Sequence, residues 1–261
     1  MKFDTDTMCR GPIFKSVIIY TVPIILTSIL QLLFNAADLI VVGWFSGSDS
    51  VAAVGATGAL TNLLVNLFIG LSVGAGVAVA QSLGAGDKKG TYEAVHTAIP
   101  VALIGGVILT VIGVAFSSTF LELMGTPADK LLPLASAYMR IYFCGITFSI
   151  LYNFGSAILR AAGNTRSPLI FLTVAGVLNV ILNIIFVALF KMDVAGVALA
   201  TSISQGVSAV LVIRSLMKRE DACRFEIRGM KIYTRAFARI LKIGLPAGLQ
   251  GTLFSISNVL I

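Results

Sequence analysis

Charge is scarce in this sequence: 12% of its 261 residues are Asp, Glu, Lys or Arg, against 57% hydrophobic. That balance excludes an ordinary soluble domain, in which about a quarter of residues are charged. Histidine is scarcer still, with His96 alone. Cys9, Cys144 and Cys223 have neither metal nor redox spacing, so a zinc site is not expected. "GAGDKKG" lacks the GxxxxGK[ST] pattern of a phosphate-binding loop. HExxH, paired intramembrane carboxylates and a Ser-His-Asp set are also missing. No enzyme, no cofactor and no nucleic-acid partner is expected. A channel would need a pore-lining ring or filter, and none is seen.

What is present is apolar sequence in long runs. A spanning helix needs roughly 20 mostly apolar residues, and seven windows qualify: 16–44, 51–82, 94–117, 131–159, 168–190, 194–216 and 239 to the end. The alternating segments of a membrane barrel are missing. The pattern predicts an all-α polytopic membrane protein in contact with the lipid bilayer. The first run is too long for a removable signal peptide.

Basic residues give the orientation. Sixteen of the 19 Lys and Arg fall on the side of the N-terminus. Lys130 and Lys191 fall on the other side, and Arg140 lies within the fourth span. The positive-inside rule therefore predicts a cytoplasmic N-terminus in a cell (inner) membrane. The net charge of +7 is accounted for by this placement. The basic stretch 214–238 alternates with Phe225, Ile227, Ile232 and Phe237. It reads as a solvated cytoplasmic loop or as a strap on anionic headgroups.

The seventh window resembles the first. At an offset of 223 residues, Phe14, Pro23, Leu26, Leu30 and Asn35 match Phe237, Pro246, Leu249, Leu253 and Asn258. Both helices would start inside, as in a parallel repeat. The predicted organisation is a six-helix bundle over 1–213, a basic linker over 214–238, and over 239–261 the first helix of a second bundle. A complete protein of this plan has about twelve spans, so the missing second bundle is an expected partner.

Of the 12 acidic residues, Asp38 alone lies well inside a span. Intramembrane acids normally face a cavity or a partner and mark ion pathways. At 1.5 Å per residue Asp38 is about 9 Å below the outer helix end, Asn183 and Thr201 about 12 Å, and Asn179 about 18 Å. Asn179 and Asn183 share one helix face, as do Thr201 and Gln205. Gln31, Asn35 and Asp38 form a stripe on the first helix. Taken singly, Asn and Thr in such helices also serve as packing glue. Oxygen ligands of this kind hold hard cations, and a carboxylate out of water is drawn to its protonated form. Arg140 is about 14 Å from its helix end and is expected to snorkel outward, with lining a cavity as the alternative. Gly70, Gly74 and Gly76 permit close helix approach. Pro23, Pro100 and Pro246 each remove a helix hydrogen bond and favour a kink.

The stretches "VPIILTSILQLLFNAADLIVVGWFSG", "GLSVGAGVAVAQSLGAGD", "YMRIYFCG", "ILRAAGNTRSPLI", "LNVILNIIF" and "VAGVALATSISQ" carry a family likeness over nearly the whole chain. It resembles the N-terminal half of a multidrug and toxic compound extrusion (MATE) transporter, in the multidrug/oligosaccharidyl-lipid/polysaccharide exporter superfamily. The resemblance implies two six-helix bundles with alternating access, exporting small organic cations against protons or sodium. It places the coupling site, including a possible sodium site, at Asp38, Asn179, Asn183 and Thr201. Gln31, Asn35 and Gln205 are candidate cavity-lining residues. The chain departs at Asn183, where family members often carry an acid. The alternative in the same superfamily is a flippase for lipid-linked sugars, which would want a basic cavity around Arg140.

Overall fold

The computed structural model describes residues 13–127 and 130–260. They form seven long helices: α1 (Ile13–Phe45), α2 (Ser48–Gly84), α3 (Lys88–Leu123), α4 (Leu131–Ala161), α5 (Arg166–Asn183), α6 (Asp193–Met217) and α7 (Thr234–Leu260). A π-helical turn, Ile184–Leu189, continues α5, and a single 3-10 turn, Ile227–Gly229, sits between α6 and α7. No strand occurs among the described residues. The expected all-α polytopic fold is the one observed.

Among the described residues, six helices are long and apolar enough to cross a membrane. The seventh predicted window, 239 to the end, runs partly outside the residues whose side chains are described, and within them Gln250, Thr252 and three glycines dilute its apolar residues. The other helices overrun their predicted windows. The 36 residues of α3 correspond to about 54 Å, against a hydrocarbon core of roughly 30 Å. The extra turns at both ends stand at headgroup level. The helices run unbroken through Pro23, Pro100 and Pro246.

Two sequence stretches that carry the likeness are one local device used twice. Gly86 ends α2 with φ +69° and Gly163 ends α4 with φ +80°, a left-handed conformation that glycine adopts without strain. The chain closes back on the helix through Asp87 N to Ser82 O and Asn164 N to Leu159 O, both 2.9 Å. The next residue type then starts the following helix. Asp87 accepts from Gly90 N–H at 2.8 Å, and Asn164 Oδ1 accepts from Ser167 N–H at 3.0 Å.

Glycines also set how closely the helices approach. α7 packs along α2, and to a lesser extent on α3. A Cβ added to Gly244 would stand 2.6 Å from Leu71 Cα, and one on Gly248 2.7 Å from Leu67 O. Gly70 and Gly74 face them from α2 with no more room. The expected close approach is therefore real, and α7 is the helix it admits. Near the middle of α1, Phe34 fills the space left by Gly176 of α5, fixing the register of these two helices one turn from Asp38.

The non-helical stretch 218–233 is docked rather than simply solvated. Cys223 and Phe225 are buried, while Ile227 and Ile232 point outward. Its anchor is His96, fully buried on α3. His96 Nδ1 donates to Tyr92 O at 2.9 Å, and Nε2 accepts from Glu226 N–H at 3.1 Å. Tyr92 stacks on the ring at 3.8 Å and Phe225 lies at 5.5 Å. Next to it, Thr97 Oγ1 accepts from Tyr233 N–H at 3.0 Å. The sequence reading weighed His96 only as a metal ligand and missed this role.

Candidate functional site

Asp38 lies on α1 and is 8% exposed; Asn179 and Asn183 on α5 are 5% and 0% exposed. Thr201 approaches from α6, half-buried. Asn183 Nδ2 donates to Asp38 Oδ1 at 2.5 Å and to Asn179 Oδ1 at 3.2 Å. Asn179 Nδ2 donates to Thr201 Oγ1 at 3.2 Å, and Thr201 Oγ1 donates to Asp38 Oδ2 at 3.4 Å. The four residues form a closed ring of hydrogen bonds from three helices. Every donor to the carboxylate is neutral. The ion pairs among the described residues are Arg219–Asp221 and Arg224–Glu226, both outside the bundle.

One polar atom of the ring is left over. Asn183 Oδ1 is buried without a hydrogen-bond partner. Such an atom is costly, and it stands on the residue that holds Asp38. A protonated carboxyl or a bare cation at Asp38 would give this oxygen something to accept from or bind. Asp38 oxygens, Asn183 Oδ1 and Thr201 Oγ1 are the all-oxygen set that suits a hard cation. The π turn begins at the residue after Asn183, and such turns occur frequently at functional sites.

Two tyrosines that sequence reasoning missed complete the surroundings. Tyr138 and Tyr142, one turn apart on α4, lie near enough to interact electrostatically with Asp38. Their rings stack at 6.0 Å. The i,i+4 spacing on the helix that carries "YMRIYFCG" was the available signal.

The remaining candidates stand apart. Gln31 and Asn35 are exposed on α1. Gln205 is half-buried, and its Oε1 accepts from Ser208 at 3.4 Å. Arg140 is exposed, with Nε donating to Ser117 Oγ at 3.1 Å and Nη2 to Ser118 Oγ at 3.2 Å. It sits about 200° around α4 from Tyr138, at 100° per residue, and so faces away from Asp38.

With six helices long and apolar enough to cross a membrane and, among the described residues, one buried carboxylate, the fold is that of a polytopic membrane protein. A family model described as MatE matches residues 23–185, and the chain belongs to that family. It is 32% identical over 242 residues to the probable multidrug resistance protein YpnP of Bacillus subtilis (strain 168), covering 92% of this chain and 54% of that protein. It is 26% identical over 252 residues to the multidrug export protein MepA of Staphylococcus aureus (strain MRSA252), covering 97% and 56%. A crystal structure of MATE in the bent conformation superposes with a TM-score of 0.88 at 28% identity, covering 96% of this chain and 56% of that one. The chain spans about half the length of the relatives it matches, and corresponds to the N-terminal half of the fold.

Proposed function

We propose that this chain supplies the first bundle of a secondary antiporter, not an enzyme, that exports small organic cations across the cell membrane. The observation that carries the reading is Asp38, a buried carboxylate bonded by neutral donors alone. Its charge is completed by a transported cation, a proton or a sodium ion, rather than by a protein partner. The names of YpnP and MepA, which refer to multidrug resistance and export, support a drug-like substrate.

The stretch 218–233 and the turns at 84–88 and 161–166 lie on the cytoplasmic side in this reading, as the basic residues require. From outside, a cation reaches Asp38 and is met by Asn183 Oδ1 and Thr201 Oγ1. The donors that held the bare carboxylate are then free to rearrange, and α1 shifts against α5 and α6. That favours outward release of the substrate. Loss of the cation to the cytoplasm resets the ring. With Asn183 in place of an acid, the site compensates one positive charge per cycle. One charge crossing the full potential gains about 2.3 kcal/mol per 100 mV.

The flippase alternative needs a basic cavity, and its one residue in favour, Arg140, faces away from the Asp38 side of α4. The test is transport in proteoliposomes with an imposed proton or sodium gradient, reading a fluorescent organic cation. Gradient-driven movement with either ion supports the antiporter. Movement with neither, in protein that retains its fold, sinks it.

A further inference from the structure

Arg140 is a permanent cation on a membrane-spanning helix, and no carboxylate among the described residues pairs with it. It does not serve the Asp38 ring, since it lies on the outward stripe of α4 with Pro133, Ala137, Cys144 and Phe148, all exposed. A cation there needs an anion from its surroundings. The two hydroxyls beneath it, Ser117 and Ser118, orient the guanidinium and leave further N–H groups to donate, in a geometry that suits phosphate oxygens.

Depth identifies the source of the phosphate. Ser117 and Ser118 are six and five residues from the end of α3 at Leu123, about 9 and 8 Å below it. The Arg140 backbone is about 14 Å below the start of α4, and its side chain meets these serines. The guanidinium therefore lies near the edge of the hydrocarbon core, within reach of lipid phosphates, on the side opposite the linker. Glu122 is one turn above Ser118 on the same face of α3, about 6 Å further out. It is exposed and forms no ion pair with the described residues. A cation below and an anion one turn above follow the order of phosphate and ammonium in a zwitterionic phospholipid.

We propose that Arg140, Ser118 and Glu122 form a lipid site for a phosphatidylethanolamine headgroup in the leaflet opposite the linker. Buried Ser117 orients the guanidinium from below, Arg140 and Ser118 hold the phosphodiester, and Glu122 holds the primary ammonium. The exposed faces around Phe116 and Phe148 lie along the acyl chains.

The test is lipid retention and thermal stabilisation of the detergent-purified protein. The probes are phosphatidylethanolamine, phosphatidylglycerol, phosphatidylcholine and inorganic phosphate. The expected result is an upward shift in Tm and a retained adduct in native mass spectrometry that are largest with phosphatidylethanolamine. Inorganic phosphate alone gives neither. Glu122→Gln, an exposed change that leaves folding intact, brings phosphatidylethanolamine down to the response of phosphatidylcholine. Arg140→Gln abolishes the response to all three lipids. Equal shifts with all three lipids in the unaltered protein, saturation by inorganic phosphate, or an unchanged preference in Glu122→Gln would overturn the assignment.

Discussion

Asn183 and Asp38, 145 residues apart in sequence, meet at 2.5 Å inside the bundle. The amide gives its N–H₂ group to the carboxylate and to Asn179, and keeps its own oxygen buried and unpartnered. That arrangement holds the carboxylate in place and leaves one buried acceptor beside it.

Replacing Asn183 separates these two duties. Asn183→Ala removes both donated hydrogen bonds and is expected to destabilise the protein by about 1–3 kcal/mol, read as a lower Tm. Asn183→Asp sets a second carboxylate against Asp38, and like charges this close do not both ionise readily. The expected outcome is an altered ion dependence of transport, with more than one cation exchanged per cycle, measured as charge moved per substrate in proteoliposomes.

The glycine seam between α2 and α7 makes a separate prediction. Gly74→Leu has no space to occupy, because the α7 backbone lies directly opposite. Overpacking of this kind costs about 1–3 kcal/mol. Here it is expected to displace α7, seen as loss of a disulfide cross-link between cysteines introduced at Asn66 and Gly251, where a Cβ on Gly251 would stand 3.4 Å from Asn66 Cβ.

Much of this was legible in the sequence, and the gaps have physical causes. Asp38, Asn179, Asn183 and Thr201 could be grouped because depth along a helix is countable at a fixed rise per residue. Gln31 and Asn35 were grouped with Asp38 as one stripe on α1, yet they are exposed, since a shared helix face does not say which other helices cover it at each level. Tyr138 and Tyr142 were passed over because an aromatic pair in an apolar helix looks like packing. The docked linker was hidden because its bonds to His96 and Thr97 come largely from backbone groups, which leave no trace in side-chain patterning. Arg140 reads in the sequence as a snorkelling residue, and only the fold supplied Ser117 and Ser118 as its partners.

His96→Ala removes the acceptor for Glu226 N–H and the ring stacked between Tyr92 and Phe225. The linker is then expected to detach while the helices remain. Cys223 reports this directly. Burial, aided by the charge of Asp221 and opposed by Arg219, pushes its thiol up to about 12, so it is unreactive at neutral pH. With Cys9 and Cys144 replaced by Ala, a water-soluble maleimide is expected to label Cys223 in His96→Ala alone. Unchanged protection of Cys223 would contradict the anchoring role.

The linker also carries a pH dependence. Burial alone would raise the Asp221 carboxyl, but the bonded Arg219 guanidinium outweighs it and holds the group below its usual value. A depressed folded value means the stabilisation is present above the unfolded value, about 3.9, and is lost as pH falls through the folded value. The carboxylate is about half exposed, so the contribution is at most about 1 kcal/mol. Tryptic cleavage after Arg224 and Arg228 is expected to stay constant from neutral pH down to mild acid in a refolding-and-quench assay, and to rise only after exposure below about pH 4. Asp221→Asn should remove that dependence.

The central claim is that Asp38 couples ion movement to export. The most direct measurement is efflux of a fluorescent organic cation from cells producing the protein or its Asp38→Asn variant, at matched membrane abundance. The amide keeps the size of the side chain and loses the charge that a cation must complete. The account predicts gradient-dependent efflux in the first and none in the second. Efflux that persists in Asp38→Asn and still collapses when the ion gradient is dissipated would contradict it.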